Sequence, residues 1–158
     1  MSILNQDIER PTNPTVLKSF RNQSMRKILL DAGHELYKFT SHPLLGSPKG
    51  ITPYWFSLSP LEGDRGLAGL MHDAETVHTE AKDFARARAA VAPQWGNSMS
   101  NLLRARLMTS AYAFVGQAAG QPCEDDPPSA QPMARVFLIG GAMQLWIPNL
   151  TTASIMEA

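Results

Sequence analysis

A lysine sits in the middle of an aromatic run, Leu36-Tyr37-Lys38-Phe39-Thr40. On an extended segment Leu36, Lys38 and Thr40 share one face, and Tyr37 and Phe39 take the other. A cation among buried neighbours needs a partner or an aqueous cleft, because an unpaired buried charge is very costly. Two readings follow: an edge strand guarded by its lysine, or a cation aimed into a ligand cleft. A second aromatic run, Ile51 to Ser57, places Ile51, Pro53, Trp55 and Ser57 on one face and Tyr54 and Phe56 on the other. These rings are either core or a wall for stacking a flat ring, with Ser57 at the strand end to bond a polar group.

The remaining reactive side chains form no recognised constellation. His72 and His78 are six apart, which does not put them on one helix face as a metal pair needs. His34 and His42 bracket the first run and, with Asp73 and Glu75, fit no metal-ligand spacing, so no metal is expected. Cys123 lies in an acidic, proline-rich loop with no nearby base, a poor setting for a nucleophile. Nucleophile-elbow, Walker and dinucleotide glycine patterns are missing. Gly63, Gly66 and Gly69 fall in an expected helix and read as sites of close packing. Arg86, Arg88, Arg104 and Arg106 read as the solvated faces of two helices, and the net charge is zero, which argues against nucleic-acid binding.

The elements that must position these residues are read from pattern and punctuation. Residues 1–14 form a polar N-terminal arm, and 15–158 a single domain. An apolar stripe over Leu17, Phe20, Met25, Ile28 and Leu29 predicts a helix over 19–33, stopped by Gly33. Strands are predicted at 35–40 and 51–58. Ser59-Pro60-Leu61-Glu62 reads as a capping box with proline at the first helical position, opening a helix to about residue 72. Ser59 therefore has a capping role and no catalytic one. Further helices are predicted over 74–91, stopped by Pro93, and from Asn97 or Ser98 to Gln117. Residues 116–132 form a loop. A hairpin of strands 133–139 and 142–147, turned at Gly140-Gly141, closes the reading. The order does not alternate, so the fold class is α+β: a mixed or antiparallel sheet assembled from both chain ends, with a helical segment between.

Composition fits this picture, with 44% apolar and 18% charged residues and one cysteine, a usage suited to a reducing compartment. The N-terminal stretch holds no apolar core of signal-peptide length and no run long enough to span a membrane. The expectation is a cytoplasmic protein, or one exported without a cleaved signal.

"LYKFT", a glycine-containing loop and "GITPYWFSLSP" leading into a helix resemble the first half of the ADP-ribosyltransferase fold, particularly its bacterial toxins. The resemblance implies NAD as substrate, with Lys38 in the place of the family's basic residue. It implies that Tyr54, Trp55 and Ser57 form the second motif and that Gln144 stands on the last strand, after a loop that helps choose the target. Lys38, Ser57 and Gln144 are then the catalytic set, and Tyr37, Thr40, Tyr54 and Trp55 the cofactor-binding set. Two departures stand out. Lysine replaces the usual arginine, losing bidentate contacts. "AMQLWIP" has no glutamate where the family places the acid that stabilises the oxocarbenium ion. The implied function is a bacterial toxin or effector that transfers ADP-ribose or hydrolyses NAD, with a macromolecular target and a neutralising immunity or antitoxin protein as partners. The rival is a non-enzymatic interaction module of the same fold. A nuclease with His34 or His42 as base lacks a second catalytic residue.

Overall fold

The computed structural model describes residues 3–41, 51–61, 63–89, 99, 101–122, 137–138 and 140–158. Among these residues the chain builds one seven-stranded antiparallel sheet, a two-stranded ribbon and three short α-helices, an α+β arrangement. The elements are α1 (Pro14–Ser19), β1 (Arg26–Leu30), β2 (Glu35–Thr40), β3 (Tyr54–Ser57), α2 (Gly66–Thr76) and α3 (Ala81–Ala89). They continue with β4 (Asn101–Leu107), β5 (Ala111–Gln117), β6 (Gln121–Pro122), β7 (Phe137–Leu138), β8 (Met143–Trp146) and β9 (Ile155–Glu157). The large sheet runs β1-β5-β8-β3-β2-β4-β9. Both ends of the chain therefore contribute strands, as the sequence predicts.

The core lies on one face of this sheet. Leu36, Leu103, Ala105, Leu107 and Ile155 from one half meet Leu30, Ala111, Ala113, Val115 and Leu145 from the other, around a fully buried Trp55. At roughly 25 cal/mol per Å² of apolar surface removed from water, this cluster is the main source of stability. The N-terminal stretch is pinned to it: Leu4 N–H donates to Ser110 O at 3.1 Å. The Asn5 amide donates to Tyr112 O at 3.1 Å and Pro148 O at 2.8 Å.

Several sequence expectations are corrected. The 19–33 helix is replaced by α1, a 3₁₀ turn at Arg21–Gln23, and β1. Pro14 at the first position and the Asn13 side chain, which accepts from Thr15 N–H at 2.9 Å, start α1. Left-handed backbone at Asn22 (φ 56°) and Gln23 (φ 50°) ends helical continuation. Thereafter exposed Leu29 and buried Leu30 follow the two-residue period of a strand. The helix expected to end at Gln117 is instead β4 and β5. Leu103, Ala105 and Leu107 are buried while Arg104 and Arg106 are exposed. Leucine and alanine favour helices, but cross-strand burial overrode that preference.

The capping box at Ser59 opens no helix. Left-handed Gly63 (φ 86°) cannot continue one, and α2 begins at Gly66, whose N–H donates to Asp64 Oδ1 at 2.9 Å. The break between α2 and α3 falls after Thr76, with His78 at φ 56°. Gly140 and Gly141 do take positive φ (68° and 95°), yet the strands beside them do not pair with each other. β7 pairs with β6, whereas β8 inserts between β5 and β3. The loop and strand expectations at 123–136, together with His42 and Cys123, lie outside the described residues.

Candidate functional site

The strand pair β2–β3 divides the predicted site residues between its two faces. Leu36 lies opposite Ser57 and Tyr37 opposite Phe56. On the core side, the Lys38 ammonium sits 4.0 Å from the Trp55 ring centroid and donates to Thr52 Oγ1. Trp55 Nε1–H donates to Thr52 O at 2.9 Å, fixing the ring beneath the cation. Burial disfavours the charged amine and lowers its pKa to about 8. The edge-guard reading of Lys38 is overturned, because β2 lies inside the sheet between β3 and β4. Thr40 is buried at the end of the same face.

Ser57 ends β3 on this face. Its hydroxyl donates to Ser59 O at 2.8 Å, and His34 Nε2 lies 2.9 Å from its Oγ. With the hydroxyl proton on Ser59 O, the contact is made by a His34 Nε2–H donor, whereas activation of Ser57 for attack needs Nε2 as acceptor. Burial lowers the His34 pKa, with Asp31 and Glu35 acting in the opposite direction. Among the described residues, no three His, Cys, Asp or Glu side chains gather as a metal site would require.

On the opposite face stand Tyr37, Tyr54 and Gln144. Gln144 is buried, and its amide donates to Ser19 O at 2.9 Å. The Tyr54 hydroxyl donates to Ser19 Oγ at 3.3 Å, so both tie the sheet to the end of α1. Tyr37 goes elsewhere. Its ring borders a cavity of about 360 Å³ between α2, α3 and the ends of β5 and β8. The predicted residues are thus not assembled in one place: Lys38, Thr40, Trp55 and Ser57 are on the core side, Tyr54 and Gln144 at α1, and Tyr37 at the cavity.

The cavity carries Asp64, Arg65 and Phe84, which the sequence did not single out, and Arg88, which it read as part of a solvated helix face. Asp64, Arg65, Phe84 and Arg88 line it, with the Gly141–Ala142 backbone opposite. Arg65 is paired with Asp73 along the exposed side of α2. Arg88 is half-buried, and its guanidinium has no hydrogen-bond or ion-pair partner among the described residues. Asp64 Oδ1 accepts from the Gly66 N–H in the turn just ahead of α2, leaving Oδ2 without a hydrogen bond among the described residues. Burial raises its carboxyl pKa against the opposing pull of the Gly66 N–H, Arg65 and Arg88, with Asp73 adding to the rise. Tyr37 is held as a neutral phenol, its pKa raised by burial and by Asp64. The available signal was the Gly63-Asp64-Arg65-Gly66 turn itself, with paired charges between glycines where a strand hands over to a helix.

A free guanidinium beside two aromatic rings suits a flat ligand that carries an anion. Five fixed N–H donors match a phosphate or carboxylate, and the rings offer stacking surface.

No protein-family profile and no curated protein matches the chain. Two solved structures are similar to it. Rhs1-CT in complex with cognate immunity protein RhsI1 is 17% identical, with a TM-score of 0.48 over 85% of this chain and 77% of that one. Tse6 in complex with Tsi6 is 16% identical, with a TM-score of 0.48 over 98% of this chain and 87% of that one.

Proposed function

We propose that the chain is an effector domain that consumes NAD by the ADP-ribosyltransferase type of reaction, attack at the nicotinamide ribose carbon by water or by a target group. The observation that carries this reading is the Arg88 guanidinium, without a hydrogen-bond or ion-pair partner among the described residues, in a cavity bordered by Tyr37 and Phe84. Arg88 would hold the pyrophosphate, and Tyr37, a donor across the neutral pH range, would bond a ribose or amide oxygen beside the stacked ring. A cavity of about 360 Å³ is at the small end of ligand sites, about 300–1,000 Å³. It would take one mononucleotide half, with the other lying across the open mouth. Lys38, Trp55 and Ser57 would support the strand pair from behind. An NAD-consuming domain depletes the pool of the cell that makes it, so the reading includes a neutralising protein partner.

The test is incubation with NAD, following nicotinamide release, with calorimetry for binding. Arg88→Ala is expected to weaken NAD binding roughly 10–100-fold, the loss of a charged hydrogen-bonded contact worth about 1.5–3 kcal/mol. The melting temperature should be unchanged. If the unaltered protein neither binds nor cleaves NAD, the enzyme reading ends.

A non-enzymatic interaction module is the second reading, favoured by one observation. Lys38, Ser57, Tyr54 and Gln144 all have internal partners and need no ligand to satisfy them. That reading predicts no NAD binding and a stable complex with the neutralising protein.

A further inference from the structure

We propose that Asp64 is the catalytic carboxylate that faces the reacting ribose, a role the last strand cannot fill. The inference rests on the NAD reading above. Glycosidic cleavage leaves cationic charge on the ribose carbon and ring oxygen, and a fixed carboxylate is the side chain suited to stabilise it. Gln144 has no charge to offer, and its amide is held by Ser19 at 2.9 Å. Among the described residues two carboxylates line the cavity, Asp64 and Asp73. Asp73 is neutralised by Arg65 on the exposed side of α2. Asp64 is half-buried, in no ion pair, and keeps Oδ2 unbonded among the described residues.

Its position is fixed by the backbone. Oδ1 accepts from Gly66 N–H at 2.9 Å, and Leu61 and Asp64 close the preceding turn with reciprocal backbone bonds of 3.0 and 2.9 Å. Gly66 is left-handed (φ 73°) and packed so tightly on the Leu58 carbonyl that a Cβ would collide with it. The carboxylate is thereby pre-oriented, with little rearrangement left for the reaction.

The step balances as hydrolysis. The bond from the ribose carbon to the nicotinamide nitrogen breaks, and its electron pair leaves with neutral nicotinamide. The ribosyl cation, held against Asp64 Oδ2, takes the oxygen of water. The water proton passes to the carboxylate and then to solvent, giving ADP-ribose, nicotinamide and one proton.

Asp64→Asn is the test, because asparagine keeps an oxygen to accept from the Gly66 N–H and removes only the charge. Nicotinamide release should fall by roughly 10²–10³-fold in kcat, with KM and calorimetric NAD affinity unchanged. If Asp64→Asn does not fold, Asp64→Ser keeps a capping oxygen and should show the same loss. A variant that retains kcat while the unaltered protein cleaves NAD overturns the assignment and leaves the NAD reading standing. Parallel loss of affinity and rate would also overturn it, since the residue would then serve binding alone. An unaltered protein that binds and cleaves no NAD removes both.

Discussion

The two faces of the β2–β3 pair carry similar chemistry in opposite states. On the core face, a cation, an indole, a hydroxyl and an imidazole are closed on one another through Thr52 and Ser59. On the cavity side, a guanidinium and a carboxylate oxygen line the cavity with no hydrogen-bond or ion-pair partner among the described residues. A buried polar group that is satisfied internally holds the fold, and removing its partner costs stability. One left open in a cavity contributes little to the fold and is available to bind. The difference locates the candidate site on the face that carries Tyr37, away from Lys38, Trp55 and Ser57.

The largest expected effect that would break this comparison is on the core face. Trp55→Ala should lower unfolding free energy by about 3–5 kcal/mol in urea titration, since the ring is fully buried and also seats Lys38. A loss under about 1 kcal/mol would mean that Trp55 is a ligand platform and not core. Ser57→Ala comes next, expected to cost about 1 kcal/mol and to leave NAD cleavage unchanged. Lost cleavage with stability intact would return the site to the core face, with Ser57 in the catalytic place the resemblance implied.

An effect of similar size concerns pH. The Lys38 pKa is lowered to about 8, so the folded chain binds fewer protons than the unfolded chain above that value. Its destabilising contribution is full below pH 8 and is relieved as pH rises toward 10. Stability should therefore increase by about 1–2 kcal/mol over that window, after allowance for partial exposure. Tyr37, raised above its ordinary value, acts in the opposite sense only beyond about pH 10. Lys38→Met should abolish the difference between the two pH values, which chemical denaturation at each would measure.

Legibility followed local pattern. The strand 35–40 was readable because Tyr37 and Phe39 alternate with Leu36 and Thr40, and β2 has those bounds. Residues 97–117 were misread because Leu103, Leu107, Ala111 and Phe114 also fit a helical stripe. Only pairing of β4 with β2 and of β5 with β1 shows the two-residue period. The Ser59 box followed a valid rule, but two left-handed glycines and the Asp64 side-chain bond to Gly66 N–H moved the helix start to Gly66.

By itself the sequence determined the class of the fold and the strand pair at its centre, since hydrophobic alternation and turn residues act over a few neighbours. It also determined that Lys38 would need a partner, since that follows from the cost of an unpaired buried charge. Which face of the pair stays open was decided only by the tertiary structure. The cavity draws Tyr37, Asp64, Phe84, Arg88 and Ala142 from four separate segments, and no spacing along the chain encodes their meeting. Long-range packing alone left Arg88 and Asp64 facing a void while closing Lys38 against an indole.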